Sequence, residues 1–274
     1  MHFLSPGELF LLSSGIFAVG LCIGSYLNVC IWRIPRGEST VFPGSHCPKC
    51  GSAIRWFDNI PLVSYLLLRG RCRRCKAPIS PRYFIGEFLS GSLFLLLFFA
   101  RGFSPLLPFY WLFTAALLFA SGVDFDHFIL PDRVTLGGMV LGVVLSALFP
   151  FLQGELLWSR GLAASAFGLA LGFGLLYLVS VAGRLALRRD AMGFGDVKLL
   201  GAIGACLGWQ AVLFSLFFAS LSGTAVGLAL IAAGRKKLSA HIPFGPHLAA
   251  AAVLWMLCGG RIVSWYLGLF AKGF

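Results

Sequence analysis

The feature that most restricts this chain is a series of long runs without a formal charge. Residues 9–32, 105–123, 134–152, 161–182 and 211–234 carry none; 83–100 is apolar apart from Glu87, and 248–269 apart from Arg261. These runs approach or exceed the roughly 20 residues that a helix needs to cross a hydrocarbon core about 30 Å thick. A shorter run, 197–209, has Lys198 near its start and is the weakest of the set. The expectation is an all-α polytopic membrane protein with about eight transmembrane helices. Bulk composition agrees: of 274 residues 58% are hydrophobic and 12% charged, against about 25% charged in soluble domains. The first run has nothing basic before it and is too long for the apolar core of a signal peptide, so it is expected to be an uncleaved span.

The net charge of +12 could suggest a nucleic-acid partner, but its distribution points to the bilayer. With alternating spans and the N-terminus outside, 18 of the 22 Lys and Arg fall on one side and four on the other; ten of the 18 lie in 33–82. Basic residues accumulate in cytoplasmic loops, so this charge sets orientation, and no nucleic acid is expected.

Only 33–82 is hydrophilic and long enough to fold by itself. Its many Pro and Gly residues favour turns, and a unit so poor in core needs a staple. The staple is visible as Cys47-Pro48-Lys49-Cys50 and Cys72-Arg73-Arg74-Cys75, two CxxC turns separated by 21 residues. Two such turns supply four sulfur ligands for a structural zinc ion. Neighbouring Lys and Arg favour thiolates, and a cytoplasmic position disfavours disulfides. A site closed by four thiolates has no open position for catalysis. Cys22, Cys30, Cys206 and Cys258 lie singly in apolar runs and read as small hydrophobes.

Of ten acidic residues, Glu87, Asp124, Asp126, Asp132, Asp190 and Asp196 crowd towards the cytoplasmic ends of spans. Ionisable groups in a membrane are costly and therefore functional candidates. Asp124 closes the third run, in Gly122-Val123-Asp124-Phe125-Asp126-His127. Asp196 ends Gly193-Phe194-Gly195-Asp196, where two glycines allow a sharp turn or close backbone approach. Brought together, the two carboxyls could share a proton, one acting as base and the other as acid. The five histidines show no HExxH spacing, so a zinc protease of that type is not expected. By themselves these residues leave three classes open: a peptidase, a transporter or proton relay with paired carboxylates, and a scaffold with a docking loop.

Taken together, the motifs resemble the type IV prepilin peptidases. Gly24-Ser25-Tyr26-Leu27-Asn28-Val29 precedes Arg33-Ile34-Pro35; the CxxC loop encloses Asn59-Ile60-Pro61-Leu62-Val63-Ser64-Tyr65. Then follow Asp124-Phe125-Asp126-His127, Leu130-Pro131-Asp132, Gly193-Phe194-Gly195-Asp196 and Ile242-Pro243-Phe244-Gly245-Pro246. The resemblance implies a bifunctional enzyme of the bacterial inner membrane. It would cut short basic leaders from type IV prepilins or type II secretion pseudopilins after a Gly, then methylate the new amino terminus with S-adenosylmethionine. It maps the catalytic pair to Asp124 and Asp196. For Asp126 and Asp132, helix capping and pairing with Arg133 are the expected roles. The methyl-donor residues are not readable: no glycine-rich strand–turn–helix pattern of the dinucleotide kind occurs. Methylation is assigned to the loop and its junction with the membrane, including Gly70 and Glu87. The expected organisation is a first span at 1–32, a cytoplasmic zinc loop at 33–82 and a transmembrane peptidase domain at 83–274.

Overall fold

The structure, a computed structural model, describes residues 5–187, 192–234 and 243–271. Asp190, Ile242 and several of the counted basic residues (Arg188, Arg189, Arg235, Lys236, Lys237, Lys272) lie outside the described residues. The secondary structure is helical, and the chain divides into two compact units, 1–122 and 123–274.

The first unit begins with α1 (Pro6–Arg33). Its start is a capping box: the Ser5 amide donates to Glu8 at 2.7 Å and the Glu8 amide to Ser5 Oγ at 3.3 Å. After the loop, which contains the one-turn helix α2 (Val63–Leu67), come α3 (Pro81–Arg101) and the greater part of α4 (Leu107–His127). α1 packs along α3 through small residues. A Cβ added to Gly20 would meet the Gly91 Cα at 2.8 Å, and one added to Gly24 would meet the Ser90 Cβ at 2.7 Å. Backbones approach this closely only where side chains are absent, the small-xxx-small logic of membrane helices. Asn28 in the same seam donates to the Tyr83 carbonyl at 3.1 Å. On the other flank of α3, Trp111 stacks on Phe94 and donates to the Phe94 carbonyl at 2.9 Å.

The second unit is built around α7 (Phe194–Leu207), whose 14 residues include ten that are buried. α5 (Asp132–Leu148), α6 (Trp158–Leu187), α8 (Trp209–Ala232) and α9 (Gly245–Leu254) all pack against it. Again glycines set the contacts: Gly168 and Gly172 of α6 lie against the Gly204 and Leu200 carbonyls, and Gly142 of α5 against Ala205. The far end of α7 is closed by polar donors, as helix ends require. Ser165 Oγ and Gln153 Nε2 donate to the Ala205 carbonyl at 2.7 and 2.9 Å. α9 continues through a wide turn at Trp255–Gly259 into α10 (Gly260–Ala271).

Each of the eight apolar runs forms helix, but the expected count of eight spans is not reproduced by length. Among the described residues, six helical stretches are long and apolar enough to cross a membrane. α5 has 17 residues and α7 has 14. The run 134–152 is cut short at Leu148 because Pro150 cannot donate to a helix and disfavours a helical residue before it.

Candidate functional site: two buried aspartates and a four-cysteine cluster

Asp124 lies one turn before the end of α4, and its carbonyl accepts the Phe128 amide at 2.9 Å. Phe128 takes a positive φ of 54°, and Pro131 then precedes α5 as its N-cap residue. Asp196 sits in the first turn of α7; its amide donates to the Gly193 carbonyl at 3.1 Å. The fold thus brings a helix end and a helix start together. Asp124 and Asp196 are 5% and 8% exposed, and the Asp124 charge acts directly on Asp196. The Asp124 Oδ2 atom has no hydrogen-bond partner among the described residues. Buried polar atoms are ordinarily paired, so an unpartnered carboxylate oxygen at this place calls for an explanation. Two carboxyls in one site can hold a single proton between them, which supplies a general base and a general acid together.

The other acids divide as exposure dictates. Asp126 is exposed. Asp132 pairs with Lys198 at 2.6 Å, where the sequence pointed to its neighbour Arg133. Lys198 also lies over the Phe194 ring, 5.2 Å from its centroid. This ion pair ties the start of α5 to the Gly193–Asp196 turn, and a contact across 66 positions leaves no local signal in the sequence. Two further residues next to the dyad were not assigned a role from sequence: Leu130, buried at 7% exposure, and Gly245, at the start of α9. Their motifs were visible, but nothing in the spacing placed them against the carboxylates.

In the loop, the Sγ atoms of Cys47, Cys50, Cys72 and Cys75 lie within 4.8 Å of one another. Cys47 Sγ and Cys75 Sγ are 3.8 Å apart. That is about the edge of a tetrahedron with zinc–sulfur bonds near 2.3 Å, so the donor set fits the metal. The two turns are built alike. The Cys47 amide donates to Ser52 and the Gly51 amide returns to Cys47; the Cys72 amide donates to Ala77 and the Lys76 amide returns to Cys72. Gly51 and Lys76 both take the positive φ that such a turn needs. Ser52 Oγ, 3.0 Å from Cys50 Sγ, lowers that thiol to about 6, and the Cys75 and Arg74 amides lower Cys72. The Arg33-Ile34-Pro35 motif anchors the loop: the buried Arg33 guanidinium donates to the Ser39 and Pro43 carbonyls at 3.0 and 2.8 Å. Asp58 and Arg73 add a bidentate ion pair, 2.6 Å at its shortest.

Where the loop joins α3, Glu87 is 8% exposed and accepts the Leu62 amide at 2.9 Å. Leu62 has φ +59°, and the Val63 amide donates back to Pro61 at 2.6 Å, a tight three-residue turn of the uncommon hand. Gly70 also has positive φ, and a Cβ there would lie 2.9 Å from the Tyr65 hydroxyl.

Comparison with known proteins adds an independent line. The profile of the Bacterial Peptidase A24 N-terminal domain matches residues 18–101. That of the Type IV leader peptidase family matches 111–228. The prepilin leader peptidase/N-methyltransferase of Myxococcus xanthus is 40% identical over 221 residues, covering 80% of this chain and 64% of that protein. The protein of the same name from Aeromonas hydrophila is 36% identical over 290 residues, 96% of this chain and 97% of that one. That of Pseudomonas aeruginosa is 34% identical over 274 residues, 91% of each. No solved structure matches significantly. With near full-length matches, both profiles and the motifs in order, the chain belongs to the type IV leader peptidase family.

Proposed function

We propose that this chain is a prepilin leader peptidase and N-methyltransferase that cleaves with Asp124 and Asp196. The observation that carries the hydrolytic reading is the meeting of these two buried carboxylates, with one oxygen unpartnered among the described residues. One carboxylate takes a proton from water as the oxygen attacks the carbonyl carbon after the leader's Gly; the other gives a proton to the leaving nitrogen. A helical peptide bond is shielded, so the substrate's apolar segment unwinds at the scissile bond to reach the dyad. The substrates are type IV prepilins or type II secretion pseudopilins. By the charge asymmetry, the enzyme lies in the bacterial inner membrane with the dyad and the loop facing the cytoplasm.

Cys47, Cys50, Cys72 and Cys75 would hold a structural zinc ion that stabilises the loop, at 33–82, as a unit between the first span and the peptidase part. S-adenosylmethionine supplies the methyl group for the second reaction. That step is assigned to the loop and its junction with α3, including Gly70 and Glu87; the support is the buried Glu87 carboxylate, which accepts the Leu62 amide at that junction. Intact masses of a prepilin before and after coexpression test both activities together. Leader loss plus one methyl group is expected. A transporter or a scaffold would leave the leader in place.

A further inference from the structure

The Pro243-Phe244-Gly245-Pro246 stretch has no part in the chemistry above, yet it forms the start of α9 against the dyad. Along residues 245–248, Pro246 has no amide hydrogen, and the His247 and Leu248 amides donate to the Phe244 carbonyl at 3.0 and 3.1 Å. Among the described residues no backbone carbonyl accepts the Gly245 amide, and it faces the Asp124 carboxylate. The site is close as well as directed: a Cβ built on Gly245 would lie 2.6 Å from Asp124 Oδ2, the buried oxygen without a partner among the described residues. That same Cβ would lie 3.1 Å from Leu130. Leu130 presses equally on the other motif, since a Cβ on Gly195 would lie 2.9 Å from the Leu130 Cβ. Leu130 is therefore wedged between two bare backbones, one adjoining Asp196 and the other adjoining Asp124.

We propose that Gly245 is a positioning residue of the cleavage reaction: its amide anchors the Asp124 carboxylate, and its bare Cα, with that of Gly195, lets Leu130 act as the spacer that fixes the gap between the two carboxyls. A helix start offers a free N–H and a positive dipole end to a carboxylate. The spacer matters because a shared proton and an attacking water tolerate little error in separation. Three motifs far apart in the chain, Leu130-Pro131-Asp132, Gly193–Asp196 and Pro243–Pro246, then serve one geometric end. The proposal rests on the aspartate reading of the cleavage site.

The test uses the full chain, purified in detergent, with a synthetic prepilin peptide carrying a basic leader, the Gly and an apolar segment. Gly245→Ala and Leu130→Ala are compared with wild type, with Gly137→Ala as a control (a helical glycine with open space beside it) and with Asp124→Asn as the blank. Displacing a reacting group by about 1 Å costs on the order of 100-fold, so Gly245→Ala is expected to lower kcat by about that factor with KM within about twofold. Leu130→Ala is expected to lower kcat about tenfold at unchanged KM, since loss of orientation without loss of binding appears in kcat. Gly137→Ala should behave as wild type. Wild-type kcat in Gly245→Ala, or a loss confined to KM, overturns the proposal. If Gly245→Ala does not insert, Leu130→Ala decides, and wild-type kcat there overturns it. If wild type itself releases no leader, the aspartate reading fails and this proposal falls with it, a result distinguishable from failure of Gly245→Ala alone.

Discussion

Replacing Asp196 by Asn gives the most direct test of the catalytic assignment. The carboxamide keeps the size of the side chain and its ability to accept a hydrogen bond, but it cannot serve as a carboxylate base or share a proton. General acid–base catalysis by one group is worth about 10²–10⁴ in rate, or about 3–5.5 kcal/mol of barrier. Because the two carboxyls act as a unit, Asp124→Asn should lose as much as Asp196→Asn, and the double variant no more than either. The fold predicts the opposite sign for stability. Asp196 is 8% exposed and Asp124 5%, and the two are close enough to interact. Burying a charge beside a like charge is costly, so removing one should leave the thermal midpoint unchanged or raise it. The pH dependence separates the roles further. Wild-type cleavage should fall at both extremes, since the working state holds one proton between two groups; residual activity of a single variant should lose one of the two limbs. Peptide cleavage followed by mass, on detergent-purified protein with its melting curve recorded, reads all of this. More than about a tenth of wild-type cleavage by well-folded Asp196→Asn would refute the aspartic mechanism, because it is below even the smallest expected loss.

Three other outcomes follow from the first unit. Metal analysis should find about one zinc per chain, and Cys72→Ser should lose it and open 37–80 to proteolysis, since a structural site contributes on the order of 10 kcal/mol to so small a unit; metal-free protein with four freely alkylated thiols would exclude the site. Asp58, held below the ordinary carboxylate range by its hydrogen bond to Arg73, contributes loop stability that is complete above its unfolded pKa of about 4 and is lost as pH falls through the lower folded value; Asp58→Asn should lower protease resistance of the loop at pH 7 and remove that acid-side loss. Glu87→Gln keeps an acceptor for the Leu62 amide while removing the charge, so it should release leader yet leave the new amino terminus unmethylated; equal loss of both reactions would make Glu87 a support for the loop only.

What could be read in the sequence was what is local. The cysteine cluster came from spacing within two short turns, and the structure gathers the four sulfurs from those same turns. Helical runs came from the absence of charge; their ends moved by a few residues, and at the end of α5 Pro150 supplies the reason. What stayed hidden depends on partners far along the chain. Gly168 and Gly172 look no different in sequence from lipid-facing glycines, yet they are where α6 touches α7. The Asp132–Lys198 pair and the wedge at Leu130 are equally silent, because each needs the packed fold to exist.

The short α7 shows what such hidden packing accomplishes. Fourteen residues span about 21 Å, about 9 Å less than a 30 Å hydrocarbon core. Its C-terminal carbonyl at Ala205 is bonded by Gln153, which lies in the turn that follows α5, so that end sits at the level of a connecting segment. The shortfall therefore falls at the other end, where Asp196 stands in the first turn. A full-length helix would carry that carboxylate out to the aqueous boundary, where water would solvate it and weaken its coupling to Asp124. A shortened helix, enclosed in protein because its neighbours' glycines let them approach it, keeps the carboxylate inside the unit. On the proposed mechanism the substrate bond must then enter the protein to be cut, which is why an apolar segment beside the scissile bond suits this site.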